Sequence, residues 1–293
     1  MINHNITEKI KVQRVDRITI PRGQIVTLER QGNIYAEVLA MENKPKIAIR
    51  KISSEKYMVL ATGEIKDFAP NGGDKHIRNL RQTFAKLRGM IRTNFTAEGH
   101  NQLFITLTYR ENVRDEKRVY RDFEVFYKRL KRHISVKGHQ LEYIVVVEPQ
   151  QRGAWHIHLM LKSDQPVLHI DMWEITRMWG HGRTKTERLK AEDVGAYYVS
   201  YFTDLLDKQK NRKKGARLKY YPVGMRIWRA SRGVIRPEKE KRTYGDIVAE
   251  YGEAVYSNTY GVDRMSVDDS TGEVIHLGTL NVIQRETFRK INE

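Results

Sequence analysis

The fold is decided by residues 141–161, which read LEYIVVVEPQQRGAWHIHLML. Residues 141–148 and 154–161 are rich in apolar, β-branched and aromatic side chains, which favour β-strands. The five residues between them, 149–153, include proline and glycine and are short enough to join the strands as an antiparallel hairpin. We therefore predict that the end of the first strand lies opposite the start of the second.

Further elements are predicted on both sides of this hairpin. Residues 103–109 read as a central strand, because they are almost all β-branched, apolar or aromatic. Apolar side chains at helical spacing predict three helices, at residues 77–92, 119–134 and 191–206. A loop that carries Trp173 and Trp179 is expected before the last of these helices. The order strand, helix, hairpin, helix predicts an α+β fold whose antiparallel core sheet is similar to the ferredoxin-like arrangement.

The ends of the chain carry weaker signals. Short predicted strands between residues 24 and 61 indicate a small β-rich N-terminal appendage over residues 1–70. We expect the main domain at residues 71–239 and a C-terminal extension without a recognisable motif at residues 240–293. There is no internal repeat and no Walker-type phosphate loop, so a fused helicase is not expected.

Composition narrows the classes of function. The chain has 293 residues and a formal charge of +17, so the expected partner is a polyanion. It has no cysteine, so any metal must be held by histidine, aspartate or glutamate. No apolar run approaches the roughly 18 residues that cross a bilayer, and no secretory pattern is present. We predict a cytoplasmic protein without membrane contact.

Two histidines in the hairpin are candidate metal ligands. His156 and His158 are two positions apart on a predicted strand, so their side chains share one face. Glu148 ends the preceding strand and is expected to approach the same point. Two imidazoles and a carboxylate, with positions left open, suit Mg²⁺ or Mn²⁺, and Zn²⁺ or Co²⁺ would also bind. The alternative is that the histidines are structural and Glu148 is a surface charge.

A tyrosine pair on a predicted helix is the candidate nucleophile. Tyr197 and Tyr201 are four residues apart and therefore lie on one helical face, whereas Tyr198 points about 100° away. A phenol has a pKa of about 10, so it attacks well only where the phosphate is polarised. Packing of aromatic side chains in a core gives the same spacing.

Cations interleaved with aromatic residues follow this helix. Such a segment suits single-stranded nucleic acid, because cations follow the phosphates and aromatic rings stack on unpaired bases. A solvated surface loop is the alternative. The candidate DNA-binding residues are Lys208, Lys210, Arg212, Lys213, Lys214, Arg217, Lys219, Trp228 and Arg232.

Taken in this order, the motifs resemble the replication-initiator branch of the HUH endonucleases of rolling-circle plasmids, integrative elements and single-stranded DNA phages. Residues 104–109 look like the first motif of that family. His156-Ile157-His158, preceded by Glu148, looks like its metal motif, and residues 196–201 look like its tyrosine motif. The resemblance covers residues 77–236.

The resemblance implies an activity and its partners. A tyrosine would nick one strand of single-stranded or hairpin origin DNA, keep the 5′ end as a phosphotyrosine and release a 3′-hydroxyl. Mg²⁺ or Mn²⁺ would be the cofactor, and a host helicase and polymerase would be further partners. Tyr197 is the expected nucleophile and Tyr201 a second one.

The tyrosine motif departs from the usual family pattern at two positions. Ser200 stands where many members carry lysine, and Asp204 stands at a position that is often basic, although Lys208 lies one turn further on. These departures leave Tyr198 as an alternative nucleophile.

Other functions fit parts of the pattern. HUH transposases also place the tyrosine after the histidines, whereas relaxases typically place it before them. A non-catalytic protein that binds single-stranded nucleic acid would have the same charge, with structural histidines and tyrosines.

Overall fold

A computed structural model describes residues 6–14, 16–41, 49–53, 56–60, 62–67, 73–150, 153–206, 211–268, 274–276 and 281–290. The chain divides into two compact units. Residues 73–236 form the central unit, and the segments on either side of it form the second unit together.

The second unit begins with six strands. They are β1 (Ile6–Arg14), β2 (Ile25–Gln31), β3 (Tyr35–Met41), β4 (Ile49–Lys51), β5 (Lys56–Val59) and β6 (Ile65–Asp67). The last three form a small antiparallel sheet of their own. The strands predicted near residues 24–28, 34–39 and 57–61 are confirmed, whereas the one predicted over 46–52 lies partly outside the described residues.

The central unit contains four helices and a five-stranded sheet. Its main elements are α1 (Gly73–Asn94), β7 (Gln102–Thr108), α2 (Glu116–Ser135), β8 (Leu141–Pro149), β9 (Trp155–Ser163), α3 (Met172–Trp179), β10 (Thr184–Glu187) and α4 (Val194–Thr203). A two-stranded ribbon, a 3₁₀ turn and an edge strand follow: β11 (Leu205–Leu206), β12 (Arg212–Lys213), Leu218–Tyr220 and β13 (Trp228–Ala230).

The chain then returns to the second unit. The remaining elements are β14 (Glu238–Thr243), α5 (Tyr244–Tyr251), β15 (Tyr256–Asp268), β16 (Val274–His276) and β17 (Asn281–Arg289). The larger sheet of this unit has the order β1-β15-β17-β3-β2-β14, and β16 pairs with β15. Residues 1–70 and 240–293, which the sequence analysis treated as separate segments, therefore contribute strands to one sheet.

The sheet of the central unit is antiparallel throughout, with the order β10-β7-β9-β8-β13. The predicted hairpin is confirmed, and its register places Glu148 opposite His156 and Val146 opposite His158. This sheet and the surrounding helices give the mixed α+β fold that the sequence predicted.

Both faces of this sheet are covered by helices. Alternate residues of β7, β8 and β9, among them Ile105, Val145 and Leu159, pack with α2 and α3. The opposite face, which includes Phe104, Val146 and Met160, packs with α1 and α4. Because side chains alternate along a strand, Glu148 and both histidines belong to this second face.

The structure corrects two predicted boundaries. The helix predicted at 191–206 is shorter, because Asp193 caps its first turn and Leu205 and Leu206 pair with β12. The segment with Trp173 and Trp179, predicted to be a loop, contains helix α3, which ends at Gly180 in the left-handed conformation at φ 70°. Three of its apolar side chains, Ile175, Met178 and Trp179, are buried and pack against α2 and the sheet.

Helix α4 is fixed to α1 by a charged contact. Nε of Arg92 donates to Asp193 Oδ1 at 2.9 Å, and the same carboxylate oxygen accepts from Ala196 N at 2.9 Å. A second guanidinium nitrogen bonds to Asp193 Oδ2. A Cβ at Gly195 would lie 2.7 Å from the carbonyl oxygen of Arg88, so only glycine lets the two helices come this close. The contact fixes the start of the tyrosine helix.

Within the described residues, no helix has the length and apolar character of a membrane span.

We predict that Asp193→Ala lowers the free energy of unfolding of the central unit by about 3 kcal/mol, because it removes the carboxylate that pairs with the buried guanidinium of Arg92. All four tryptophans lie in this unit, so urea unfolding followed by tryptophan fluorescence reports on it. Asp193→Asn keeps a side-chain oxygen that can accept the hydrogen bond from Ala196 N. It should therefore lower the free energy of unfolding by less than Asp193→Ala.

This contribution also has a defined pH dependence. Burial alone would raise the pKa of Asp193, but the hydrogen bonds and charge of Arg92 outweigh burial and lower it. The stabilisation is therefore present above the ordinary aspartate pKa of 3.8 and is lost as the pH falls through the lower folded value. A difference between wild type and Asp193→Asn that persists undiminished at lower pH would contradict this assignment.

Candidate active site

The histidines and Glu148 meet at one end of the β8–β9 hairpin. His158 is fully buried, and its Nε2 lies 2.5 Å from Oε2 of Glu148. Its Nδ1 lies 3.2 Å from the hydroxyl of Thr106 on β7, and its ring stacks on Phe104 with the centroids 5.5 Å apart. These contacts fix the imidazole in one orientation.

Glu148 is a buried carboxylate that is shared between two partners. One oxygen bonds to His158, and the other forms an ion pair with the guanidinium of Arg217. Burial alone would raise the pKa of Glu148, but the charges of His158 and Arg217 outweigh burial and lower it. Arg217 also donates to the carbonyl oxygen of Pro149 at 3.3 Å, which holds it at the end of the strand.

This arrangement differs from the predicted metal site. His156 lies on the same face, with its ring centroid 6.1 Å from that of His158, but its Nδ1 lies 3.3 Å from Nε2 of Gln150. Among the residues that the structure describes, no three histidine, aspartate or glutamate side chains are arranged to hold a metal ion. Imidazole nitrogens and a carboxylate are groups that can bind a divalent ion. In this arrangement, however, they contact other side chains.

The three tyrosines of α4 have different environments. Tyr198 is 3% exposed and packs on Phe104 with the ring centroids 4.4 Å apart, and burial raises its pKa. Tyr197 is 43% exposed and Tyr201 is 46% exposed. Burial, followed by the charge of Glu148, raises the pKa of Tyr201, whose ring centroid lies 5.4 Å from that of His158. The face that Tyr197 and Tyr201 share is therefore the accessible one.

These groups surround one cavity of about 570 Å³. Its lining combines two carboxylates, an imidazole, two phenols and two guanidinium groups. The polar lining residues are Glu148, Gln150, His156, Tyr197, Ser200, Tyr201, Asp204, Arg212 and Arg217. Two of the three predicted metal ligands, Glu148 and His156, thus face the same space as the predicted nucleophiles Tyr197 and Tyr201.

The predicted DNA-binding residues are dispersed. Arg217 is held by Glu148, and Arg212 pairs with Asp204 through a contact of 2.7 Å. Trp228 lies on the edge strand opposite Val146 and is partly buried. Besides Arg212, the exposed members are Lys213, Lys214, Lys219 and Arg232. The predicted residues Lys208 and Lys210 lie outside the described residues.

Sequence reasoning missed the roles of Asp204 and Gln150. Asp204 ends α4, accepts from Gly215 N at 2.7 Å and pairs with Arg212, so it fixes the turn that returns Arg217 to the site. The signal was present, because an acidic residue at a position that is often basic indicates a local ion pair. Gln150 carries no such signal.

Comparison with known proteins adds two findings. Residues 102–206, which run from β7 to β11, match a family model of replication-associated proteins of the ORF2 type. The chain is also similar to the Phasyl DNA replicon protein arp of Escherichia coli, with 28% identity over 148 residues. That alignment covers 40% of this chain and 48% of the relative, so it spans about half the length of the curated relative. No solved structure matches the chain significantly.

Proposed function

We propose that this chain is a DNA replication initiator that nicks one strand of origin DNA by tyrosine attack. The match to replication-associated proteins and the relative named as a replicon protein support the initiator role. The observation that carries the nicking chemistry is the shared cavity, in which Tyr197 and Tyr201 face Glu148 and His156. We assign this activity to residues 71–239.

The topology supports a ferredoxin-like core of the HUH type. The strands follow the sequence β7-α2-β8-β9-α3-β10 and are arranged in the order β10-β7-β9-β8. A ferredoxin-like fold is the same βαββαβ unit, with both helices on one face of the sheet. Helices α2 and α3 pack on one face here, which leaves the other face for the histidines and the tyrosine helix.

A tyrosine would carry out the covalent step. The phenolic oxygen of Tyr197 bonds to the scissile phosphorus, the bond from phosphorus to the 3′ oxygen breaks, and the 5′ end stays on the protein. The phenolic proton passes to solvent and the 3′ oxygen takes up a proton. Arg212 lines the same cavity and supplies positive charge for the phosphate. The free 3′-hydroxyl would prime a host polymerase, with a host helicase opening the duplex.

We propose a divalent metal ion, Mg²⁺ or Mn²⁺, as the cofactor, held by His156, His158 and Glu148. When bound, it would polarise the phosphate for attack. Glu148 is free to act as a ligand only after Arg217 has left it, since the two form an ion pair. The released guanidinium would then be available to the DNA phosphate.

The engagement of Glu148 by Arg217 also favours a second candidate function, a non-catalytic protein that binds single-stranded DNA. In that case the carboxylate, both histidines and Arg217 form a structural network, and the tyrosines only stack on bases. HUH transposases and relaxases remain enzymatic alternatives with the same site chemistry. Mapping of DNA adducts and measurement of Mn²⁺ binding separate the catalytic from the non-catalytic function.

The first experiment tests the nucleophile. Full-length protein with Mn²⁺ is incubated with single-stranded oligonucleotides that cover the DNA next to the gene, and peptides joined to DNA are mapped by mass spectrometry. We expect the adduct on Tyr197 in wild type and on Tyr201 in Tyr197→Phe.

Controls make this result specific. Tyr256→Phe removes an exposed phenol of the second unit and should leave the yield unchanged. Equal cleavage by wild type and the Tyr197→Phe, Tyr201→Phe double variant would rule out both of these tyrosines as nucleophiles. An adduct on Tyr198 alone would show that the buried tyrosine is the nucleophile.

The second experiment tests the competition for Glu148. We expect Arg217→Gln to bind Mn²⁺ at least several-fold more tightly than wild type, because a competing cation is removed from a ligand. Free Mn²⁺ is measured by electron paramagnetic resonance. Lys213→Gln, which removes the same charge from an exposed site, is the matched control.

The ligands themselves give the complementary test. Glu148→Gln and His156→Ala should each weaken Mn²⁺ binding at least tenfold in the Arg217→Gln background. Unchanged Mn²⁺ affinity in both variants would remove the proposed metal site and leave the non-catalytic function.

A further inference from the structure

A second cavity, of about 720 Å³, lies in the central unit outside the candidate active site. It is lined by the end of β7 and by residues of α3 and β10. Two guanidinium groups and three hydroxyls dominate its chemistry, from Arg110, Arg183, Thr108, Thr176 and Thr184. Arginine and hydroxyl groups together are the donors that bind phosphate oxygens.

The cavity depends on a close backbone contact. Thr108 N donates to the carbonyl oxygen of Arg183, and Arg110 N donates to that of His181, both at 2.9 Å. Gly182 lies between them, and a Cβ there would lie 2.2 Å from the carbonyl oxygen of Thr108. The absence of a side chain at this point lets the two segments that carry Arg110 and Arg183 pair through their backbones.

The charges of this cavity are available to a ligand. Arg110 and Arg183 are exposed, and within the described part of the chain neither forms an ion pair with a carboxylate. Asp122 bonds to the hydroxyl of Tyr109 in the lining, but Arg118 pairs with Asp122 at 3.4 Å. Arg92, Arg212 and Arg217, in contrast, are all paired with carboxylates.

The two cavities open at the same end of the sheet. Thr108 lines the second cavity, and its partner across the β7–β9 pair is His156, which lines the first. Paired strands are about 4.8 Å apart. A single DNA strand is therefore long enough to contact both cavities at once.

An exposed aromatic residue lies beside the second cavity. Trp173 is 61% exposed, and it lies three residues before Thr176 on α3, so the two residues share a helical face. The guanidinium of Arg177 lies 5.0 Å from the Trp173 ring. An exposed indole beside unpaired cations suits stacking of an unpaired base.

We propose that this second cavity, with Trp173, binds the backbone and one unpaired base of a single DNA strand that also contacts the candidate active site. Arg110 and Arg183 contact one or two phosphates, the hydroxyl pair of Thr176 and Thr184 completes the phosphate site, and Trp173 stacks on a base. This inference rests on the proposed function only in taking single-stranded DNA as the partner. It places part of the strand contact on α3 and β10, away from the basic segment after α4.

Binding of a fluorescein-labelled oligothymidylate to full-length protein, measured by anisotropy at several salt concentrations, tests the phosphate site. The double variant Arg110→Gln, Arg183→Gln should reduce the slope of log affinity against log salt by about 0.7 for each lost phosphate contact. The control is the double variant Lys128→Gln, Arg132→Gln, which removes the same charge from exposed positions on α2. It should change the salt slope little. Thr184→Val keeps the side-chain shape and should weaken binding several-fold.

Trp173 gives an independent readout. Trp173→Ala should weaken binding about tenfold, whereas Trp173→Phe should keep most of the affinity. DNA should quench tryptophan fluorescence in wild type, because Trp173 is the most exposed of the four tryptophans, and much less in Trp173→Phe. Circular dichroism confirms that each variant is folded.

Two results would overturn the inference. One is an equal slope of log affinity against log salt for the Arg110→Gln, Arg183→Gln variant and the α2 control variant. The other is DNA affinity equal to that of wild type in Trp173→Ala. Nicking is scored separately. If DNA binds through this cavity but no DNA adduct forms, the proposed nicking is wrong and the inference stands. If an adduct forms but the salt slope of the cavity variant is unchanged, the inference is wrong and the proposed nicking stands.

Discussion

The register of the β8–β9 hairpin is the constraint on which the site depends. It places Glu148 opposite His156 on the face that α4 covers. Side chains alternate along a strand, so a slip of one residue between the two strands would put the histidines and the carboxylate on opposite faces of the sheet. The apolar residues of β8 and β9 prevent that slip, because they already fill both cores. The polar site is fixed by the packing of its apolar neighbours.

The buried charge of Glu148 explains how the chain after α4 is arranged. A carboxylate in the interior is costly unless it is paired, and here the pairing cation comes from Arg217. Arg217 reaches it because its backbone N bonds to the carbonyl oxygen of Thr203, while Asp204 fixes the intervening turn. The helix with the tyrosines, the basic segment and the carboxylate are therefore mechanically linked. Displacement of Arg217 would leave the buried charge of Glu148 without this cation.

The local sequence pattern predicted most helices and strands of the central unit. It predicted only some of the contacts between them. The hairpin, β7, α1 and α2 followed from alternation and helical spacing, because each has a clear apolar face. The spacing of Tyr197 and Tyr201 likewise predicted that they share a face, and the structure places both on one cavity. Helix α3 was missed because it is only eight residues long and because Trp173 and Trp179, six residues apart, do not lie on one helical face.

Other features depend on contacts between distant residues, which periodicity does not encode. The ion pair of Arg217 with Glu148 joins residues that were assigned separate roles, one to DNA and one to metal. The sheet of the second unit pairs Ile6 with Asp268, and no local pattern links positions so far apart. The pairing of Arg92 with Asp193 is of the same kind.

That long-range pairing has a consequence for how the chain is made. Strand β1 finds its partner only after β15 has been synthesised, which takes on the order of tens of seconds at ordinary elongation rates. The central unit is contiguous in sequence and can fold on the ribosome while β1, β3 and β2 still lack their partners β15, β17 and β14. A truncated translation product would therefore carry a complete central unit beside exposed strand edges, which are prone to aggregate.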